Sequence, residues 1–411
     1  MRTTHHMLRR ALLRRQPSPS QSHHHFHTSS PSHLPRSFPA TFCRGGTSNG
    51  LVILRSHLPA DPSKWPSILA PAMGSPDPYG RQLNGMGSGI SSTSKVCVIG
   101  PSERDDADVD FTFVQVGVKD GGLDVAGNCG NMSSVVGPVA VDEGLVVVKG
   151  VEEAGRKEVV VRIWNTNTKK IIHSRFRVDE QGRFDPMGDY EMTGVPGTGS
   201  RITLSFLRPA GAGTGKGASP TGNAVDELVL PDGRRVEASL VDVSNPGVFV
   251  RGRDLMGGKY GPDTTPAEVE GDASLKGLLE SIRRAGAEKM GLNPEVQSVP
   301  KVVVVFDPPE GDGVDIRCLA MSMGQAHKAV PLTLALCLGS AAGIEGTIPH
   351  QLRSGGGEEK KSEEQGPRST TVVIGHPSGK VEIGTTVEDG EVVSAELHRT
   401  ARVLMKGEVF Y

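Results

Sequence analysis

Two residues of the sequence have the surroundings that acid–base chemistry requires. Lys95 follows the segment GSGISSTS and precedes an apolar stretch at 96–99, so we expect its ammonium group to be partly desolvated. Desolvation lowers the pKa of a lysine toward the range in which its neutral form serves as a general base. Cys129 lies between small polar residues at the predicted start of a helix, where the helix dipole lowers the pKa of a thiol. An ordinary surface lysine and a small buried cysteine are the alternative interpretations.

Glycine-rich loops surround these two residues in the sequence. Segments 44–50 (RGGTSNG) and 84–95 (NGMGSGISSTSK) each precede a strand-like run. Such loops direct backbone N–H groups toward one point and bind carboxylate or phosphate oxygens, although plain tight turns explain the glycines equally well. Neither loop has the spacing of a P-loop or a dinucleotide-binding fingerprint. No paired carboxylates, metal-ligand spacing or Ser/His/Asp order accompanies them, which favours proton transfer without a cofactor over hydrolysis or redox chemistry.

Two predicted helices that are apolar on nearly all sides are expected to position these groups. They cover about 131–143 and 327–342, and a helix without a polar face is normally buried. Each follows a strand-like run and a polar loop, and the two runs begin with Val-Asp pairs at Val109 and Val314. This repetition predicts an internal duplication that produces two similar lobes. His327 opens the second helix, where it either contacts an anion or caps the turn.

Length and composition narrow the class of protein. The 411 residues suit two or three domains, and a formal charge of −2 does not suggest binding to nucleic acid. No apolar run is long enough to predict a membrane-spanning helix. Five cysteines without a C-x-x-C pair indicate neither a disulfide framework nor a zinc site. The 53 glycines and only 4% aromatic residues favour backbone-lined sites over an aromatic pocket.

The first 40 residues differ in composition from the rest of the chain. They contain six arginines, seven serines, seven histidines and no acidic residue. This composition is typical of a mitochondrial transit peptide, so the matrix is the expected location, with the cytoplasm as the alternative. Without this segment the chain has 39 basic and 47 acidic residues, a net charge of −8.

We predict lobes at 41–198 and 199–411, a flexible loop insertion at 351–368, and a last strand that is a candidate to cross back to the amino-terminal lobe.

Six ordered motifs carry a resemblance to a known family. They are GGTSNG at 45–50, GMGSGISSTSKV at 85–96, GNCGN at 127–131, PTGN at 220–223, SNPGVFV at 244–250 and HPSG at 376–379. In type and order they resemble the PrpF family, which includes 2-methylaconitate cis–trans isomerase and is similar to fungal aconitate Δ-isomerase, methylitaconate Δ-isomerase and 4-oxalomesaconate tautomerase. The resemblance runs from about residue 42 to the end of the chain.

This resemblance implies an α+β fold of the diaminopimelate-epimerase type. Such a fold has two pseudo-symmetric lobes, each with a curled β-sheet around a central buried helix, and an active-site cleft between the lobes. In the related epimerases each lobe supplies a cysteine to the cleft. Here Cys129 is retained, whereas the second lobe has AHKA at 326–329 and no cysteine in that loop. A racemase mechanism with two thiols is therefore not expected.

The resemblance also implies a cofactor-independent isomerase of unsaturated tricarboxylates such as cis-aconitate or its 2-methyl homologue. Lys95 is expected to remove an allylic proton, and Cys129 to act as a second acid–base group or to polarise a carboxylate. An aconitate or methylitaconate Δ-isomerase, an oxalomesaconate-type tautomerase and a non-catalytic tricarboxylate-binding protein are the alternatives. We expect no metal, nucleic-acid or membrane partner. A homodimer is considered. The residues expected to hold the carboxylates are Gly46, Thr47, Ser48, Ser92, Asn128, Gly130, Asn131 and His327.

Overall fold

The computed structural model describes residues 36–147, 151–153, 156–353 and 367–411. The predicted transit segment therefore lies outside the described residues except for 36–40, and so do residues 354–366 of the predicted loop insertion. Residues Ser37–Tyr411 form one compact unit. Its first strand begins at Ser37, which is earlier than the predicted boundary at residue 41. The difference arises because residues 37–40 pair with the last strand of the chain.

Strands far outnumber helices in the described residues. The helices are α1 Pro66–Met73, α2 Gly130–Asp142, α3 Pro266–Gly271, α4 Ala273–Met290, α5 Leu332–Ala341 and α6 Ile348–Leu352. The strands of the first half are β1 Ser37–Gly45, β2 Ser48–Leu54, β3 Lys95–Pro101, β4 Val109–Val116, β5 Leu123–Asp124, β6 Val151–Glu153, β7 Arg156–Asn165, β8 Lys170–Arg177, β9 Tyr190–Glu191 and β10 Thr198–Gly199. Those of the second half are β11 Ile202–Leu207, β12 Asp226–Val229, β13 Arg235–Val243, β14 Asn245–Arg251, β15 Lys301–Phe306, β16 Ile316–Ser322, β17 Gln325–Ala326, β18 Arg368–His376, β19 Gly379–Glu388, β20 Glu391–Arg399 and β21 Ala401–Phe410.

The strands form one large mixed network in which most pairs are antiparallel. Strand β21 pairs with β1, so the end of the chain returns to the strand at its beginning. Strand β11 pairs with β8 on one side and with β20 on the other. Only β9 and β10 form a separate two-stranded sheet among the described residues. Within the described residues, strand pairing thus joins the two halves of the chain at two places, β1 with β21 and β8 with β11.

One pattern of strand pairing occurs in both halves. In the first, β2 pairs in parallel with β3, which pairs antiparallel with β4, and Gly50 lies opposite Lys95. In the second, β14 pairs in parallel with β15, which pairs antiparallel with β16, and Gly247 lies opposite Lys301. The first strand of each parallel pair begins in a similar segment, SNG at 48–50 for β2 and SNPG at 244–247 for β14. Lys95 and Lys301 are therefore the first residues of equivalent strands.

Helices α2 and α5 are enclosed by the strands. Residues 130–141 of α2 are all buried, and the helix packs on β1, β2, β3 and β7. All ten residues of α5 are buried, and it packs on β13, β14 and β18 to β20. Helix α2 begins within one residue of the predicted start.

The prediction that α5 begins at His327 is wrong. The helix begins at Leu332, because β17 pairs with β16 and the His327 N–H donates to the Ala320 carbonyl at 2.8 Å. Pro331 also disfavours a helical backbone at Val330, the residue before it. His327 is therefore held by a turn and not by a helix.

Two glycines inside helices predict opposite effects of the same substitution. A methyl group at Gly339 in α5 would lie 2.7 Å from Cγ2 and 2.9 Å from Cβ of Ile383 on β19. Gly339→Ala is therefore expected to lower the free energy of unfolding by about 1–3 kcal/mol. At Gly277 in α4 nothing lies within 4 Å, so Gly277→Ala is expected to raise it by about 0.5–1 kcal/mol. Urea titrations followed by circular dichroism measure both effects, and a Gly339→Ala protein as stable as the wild type would contradict close packing of α5 on β19.

Candidate active site

The amino-terminal ends of the two buried helices meet. A Cβ atom on Gly130, the first residue of α2, would lie 3.0 Å from Leu332 Cδ2 on the first residue of α5. The Thr333 hydroxyl of α5 donates to the Asn128 carbonyl at 3.3 Å. A cavity lies at this meeting point, and residues from both halves of the chain line it: Ser48, Ser91, Ser92, Lys95, Phe113, Gln115, Gly127, Asn128, Cys129, Asn131, Ser298, Lys301, Ser322, Met323, His327, Pro331, Leu332 and Thr333.

The cavity brings together seven of the ten predicted site residues. These are Lys95, Cys129, Ser48, Ser92, Asn128, Asn131 and His327. The other three, Gly46, Thr47 and Gly130, do not line it. Gly130 instead contacts the start of α5.

Gly46 and Thr47 hold Asn131 in place behind the cavity wall. Gly46 has φ +51°, and a Cβ atom there would lie 2.1 Å from Asn131 Oδ1, so only glycine leaves room for this amide. Asn131 Nδ2 donates to Thr47 Oγ1 at 3.1 Å. Both residues thus position a side chain of the cavity instead of facing a ligand there.

Lys95 is buried with a neutral hydrogen-bond partner. It is 8% exposed, and its Nζ donates to Gln115 Oε1 at 2.6 Å. Gln115 Nε2 in turn donates to the Ser94 carbonyl at 2.8 Å and the Ser91 carbonyl at 3.1 Å, which orients its oxygen toward the lysine. Burial lowers the pKa of Lys95, and the thiols of Cys129 and Cys97 partly oppose that shift. A carboxylate partner would raise the pKa of a lysine through its negative charge. The Gln115 amide is neutral, so it accepts the hydrogen bond from Lys95 without that effect.

Cys129 is the N-cap residue of α2, and it is half-buried. Its backbone N–H donates to Asn128 Oδ1 at 2.7 Å, and Ser133 Oγ donates to the same oxygen at 3.3 Å. The Cys129 side chain accepts no hydrogen bond from the first turn of α2. The N–H groups of that turn, together with the Asn128 amide N–H groups, are therefore available donors for an anion.

His327 is a neutral wall residue of the cavity. Burial and the positive charges of Lys95 and Lys301 lower its pKa to about 4. Its Nδ1 accepts a hydrogen bond from the Ala329 N–H at 3.1 Å. The remaining proton of the neutral ring is therefore on Nε2, which makes that nitrogen a hydrogen-bond donor.

Lys301 is the main residue that the sequence reasoning missed. Like Lys95 it is 8% exposed, and its Nζ donates to the Ser298 carbonyl at 2.5 Å. Burial and the positive charge of Lys95 lower its pKa to about 8. The sequence contains a repeat that could have revealed Lys301. In each half a run that begins with lysine, KVCVI at 95–99 and KVVVV at 301–305, lies further along the chain than a similar segment, SNG at 48–50 and SNPG at 244–247.

Further spaces lie beside the cavity, and one of about 270 Å³ shares Lys301, Ser322 and Met323 with it. The cavity itself has a free volume of about 40 Å³, enough for a few water molecules, and it shares Ser91, Gln115 and Met323 with an outer cleft of about 510 Å³. Behind Asn131, Arg399 lines a space of about 250 Å³, and its Nε donates to Asn131 Oδ1 at 3.2 Å. Burial lowers the pKa of Arg399 to about 10, so it stays positively charged at neutral pH.

Two features are absent from the part of the chain that the structure describes. No three His, Cys, Asp or Glu side chains gather in a way that could hold a metal ion. No helix there is both long and apolar enough to cross a membrane. The site is instead built from lysines, amides, hydroxyls and backbone N–H groups.

The sequence matches the model of the PrpF protein family over residues 36–411. The chain belongs to the PrpF family. It is similar to 3-methylitaconate isomerase of Eubacterium barkeri, with 38% identity over 90% of this chain and 96% of the relative. It is also similar to 2-methyl-aconitate isomerase of Cupriavidus necator, with 36% identity over 92% and 98%. Because these relatives, which it matches over nine-tenths of its length, are isomerases, this protein is an isomerase.

Solved structures agree with the family assignment. The crystal structure of methylitaconate-delta-isomerase matches with a TM-score of 0.70 and 36% identity, over 92% of this chain and 96% of that one. A hydroxyproline epimerase from Agrobacterium vitis matches with a TM-score of 0.51 and 14% identity, over 91% and 93%, which shows a shared fold alone. The α+β class predicted for this PrpF-family chain is confirmed, with a mixed sheet and few helices.

Proposed function

We propose that this isomerase interconverts the cis and trans forms of an unsaturated tricarboxylate, cis-aconitate or its 2-methyl homologue, without a cofactor. The observation that carries the proposal is the burial of Lys95 beside the uncapped amino-terminal end of α2. A base is thereby placed next to N–H groups that bind anions. A relative named 2-methyl-aconitate isomerase supports the choice of substrate.

Lys95 in its neutral form removes an allylic proton from the carbon next to a carboxylate. The C–H electron pair spreads over the double bond and that carboxylate, whose growing negative charge the N–H groups of α2 stabilise. Rotation about the former double bond and return of a proton to the same carbon gives the other geometric isomer. Cys129 at the amino-terminal end of α2 either serves as a second acid–base group or polarises this carboxylate.

The carboxylates require more room than the inner cavity offers. We place the reacting carbon near Lys95, with one carboxylate at Asn128 and the first turn of α2. Ser48, Ser92, Asn131 and His327 supply further donors on the cavity wall. The rest of the substrate extends toward the outer cleft past Ser91 and Met323, since the inner cavity has room for only a few water molecules.

A shift of the double bond is the second candidate outcome. It follows from the same anion when the proton is delivered to the other allylic carbon. The relative named 3-methylitaconate isomerase, at 38% identity, favours this outcome, and another is named 4-oxalomesaconate tautomerase. One methyl group contributes only about 1–3 kcal/mol of discrimination in a pocket, so methylated and unmethylated aconitate both belong in the test.

Lys95→Met is expected to abolish isomerisation, with a loss of at least about 100-fold, because it removes the base without leaving a buried charge. The measurement is proton NMR of cis-aconitate, 2-methylaconitate and methylitaconate in D2O, which follows product geometry and deuterium uptake together. Lys64→Met, on an exposed lysine, is the control and should leave both unchanged. Full turnover by a folded Lys95→Met protein contradicts the assignment, and a protein that only binds the acids would leave their protons unexchanged.

We also propose that the fold divides into two pseudo-symmetric lobes, 41–198 and 199–411, each with a curled sheet around a central helix, and with the cavity between them. The repeated pairing of β2–β3–β4 and β14–β15–β16 supports this division. Helix α5 packs on strands of its own half, and α2 packs mainly on strands of its own half with β11 and β21 added, which supports the division as well. An experimental structure in which the two segments failed to superpose would contradict it.

We propose a homodimer in which the β21 strands of two copies pair antiparallel. In the described part of the chain β21 pairs only with β1, and its Val403, Leu404 and Met405 are 41–47% exposed. A two-fold axis at Met405 would place Arg402 of each copy opposite Glu408 of the other, a favourable cross-strand pair. Met405→Lys would place two like charges on the axis. Light scattering should then report a dimer for the wild type and a monomer for the variant, and a monomeric wild type would overturn the proposal.

We propose that residues 1–40 direct the protein to the mitochondrial matrix, with the cytoplasm as the alternative location. The support is their arginine- and serine-rich composition without any acidic residue. A fluorescent protein fused to residues 1–40 should enter mitochondria of cultured cells. The same fusion with Arg9, Arg10, Arg14 and Arg15 replaced by glutamate should stay in the cytoplasm. Cytoplasmic fluorescence of the unaltered fusion would contradict a mitochondrial targeting role for residues 1–40.

A further inference from the structure

We propose that Met323 determines which substituent the unsaturated tricarboxylate can carry. Its side chain separates the inner cavity from an apolar space that would otherwise admit a longer alkyl chain. The proposal deepens the proposed function and rests on it for the substrate class. Three observations carry it: the backbone conformation of Met323, its position outside the hydrophobic clusters of the described residues, and its place where three spaces meet.

The backbone at Met323 favours a different residue. Met323 and Gly324 form the two-residue turn between β16 and β17, since Ser322 pairs with Gln325. Both turn residues have a positive φ, +52° and +70°. A two-residue hairpin turn with two positive φ angles is of type I′, and its first position strongly favours asparagine, aspartate or glycine. A methionine in this left-handed conformation costs conformational free energy.

A second turn of the same kind shows which residues the backbone alone selects. Asp389 and Gly390 connect β19 to β20, where Glu388 pairs with Glu391, and their φ angles are +51° and +80°. This turn is exposed, and it has the expected Asp-Gly sequence. Since the φ angles of the two turns are nearly the same, backbone preference does not explain the methionine at position 323.

Core packing does not explain this methionine either. Within the described residues Met323 belongs to none of the three hydrophobic clusters, whereas Met321, two positions earlier, is buried in one of them. The turn is nevertheless held in place, because the Ala326 N–H just after it donates to Glu270 Oε1 at 2.6 Å. A residue in an unfavourable backbone conformation that its surroundings hold in place is typical of a functional site.

The Met323 side chain lies where three spaces meet. It lines the inner cavity, the outer cleft of about 510 Å³ and the space of about 270 Å³, and among the described residues it alone lines all three. A methionine side chain is unbranched and has three rotatable bonds, so it fits an irregular gap. We infer that Met323 forms a partition between the site of the reacting carbon and the space of about 270 Å³.

The space behind this partition offers apolar surface to a ligand. Its apolar lining residues include Leu279, Val302 and Met321. The charged side chains that line this space but not the inner cavity are already paired: Arg283 with Glu280, and Lys276 with Glu270 outside it. An alkyl group therefore suits this space better than a further carboxylate does.

Selection of the substrate follows from the room beside Met323. The inner cavity has space for only a few water molecules, so it accepts a hydrogen atom or a methyl group on the reacting acid but no longer chain. A shorter side chain at position 323 would join the inner cavity to the space of about 270 Å³. Each methylene group that then leaves water for this apolar surface stabilises the complex.

The test compares two acids that differ only in chain length. Wild type, Met323→Gly, Met323→Asn and the control Asp389→Gly each receive an equal mixture of 2-methylaconitate and its 2-propyl homologue. Proton NMR follows both acids in one tube, and the ratio of their rates gives the ratio of the two kcat/KM values. The wild type should favour the methyl acid.

Both Met323 variants should shift this preference toward the propyl acid. We expect the propyl-to-methyl ratio of kcat/KM to rise by about tenfold or more, since a single methylene group in an apolar pocket is worth at least about tenfold. Asp389→Gly changes the equivalent position of the exposed turn and should leave the ratio unchanged.

A urea titration of Met323→Asn tests the backbone argument separately. Asparagine suits the first position of the turn, so the midpoint of unfolding should rise above that of the wild type. A lower midpoint would contradict the premise that the turn disfavours methionine.

Two kinetic outcomes overturn the role of Met323. One is an unchanged ratio in both Met323 variants, and the other is a fall of both rates in the same proportion, which would mean that Met323 only closes the cavity. In either case isomerisation of 2-methylaconitate by the wild type leaves the proposed function standing. If the wild type isomerises none of cis-aconitate, 2-methylaconitate and methylitaconate, the proposed function fails and the role of Met323 fails with it.

Discussion

The burial of lysine ammonium groups without a carboxylate partner is the constraint on which the rest of the site depends. Removing a charge from water is costly unless an opposite charge compensates it. Lys95 Nζ has the Gln115 amide oxygen and lies 5.2 Å from the centroid of the Phe113 ring, and Lys301 Nζ has the Ser298 carbonyl oxygen. The positive ends of two helix dipoles point at the same cavity, which disfavours the ammonium forms further. A polyanionic ligand relieves this cost, since its charge favours each ammonium group. The same features thus select an anion and maintain a base.

The packing of the two buried helices explains why residues from both halves of the chain line one cavity. Helices α2 and α5 have no polar face and must be enclosed on all sides, so strands wrap each of them. Enclosure leaves only the helix ends free, and the amino-terminal ends meet at Gly130 and Leu332. Pairing of β21 with β1 and of β11 with its two neighbours then joins the halves around that meeting point.

Prediction from the sequence succeeded where local pattern and local chemistry agree. Helix α2 was predicted within one residue, because an unbroken apolar segment follows a Gly/Asn loop. Lys95 and Cys129 were recognised from their immediate neighbours, and both line the cavity. Helix α5 was misplaced by five residues, because the pairing of β17 with β16 takes up residues that otherwise continue the apolar pattern. Lys301 was missed because a lysine before a run of valines is common in sequences. Only the fold shows that it lines the same cavity as Lys95.

The family, the α+β class and the residue types that perform the chemistry can be read from short motifs, because their order along the chain is sufficient. Which of those residues share a cavity depends on the folded arrangement of the chain. Gly46 and Thr47 belong to a binding motif, yet they support Asn131, because the turn after β1 places them behind its amide. Lys95 and Lys301 meet because strand register and helix packing act between residues that are remote in the chain. Hydrogen-bond pairing and close packing are non-local interactions, and no window of sequence contains both partners.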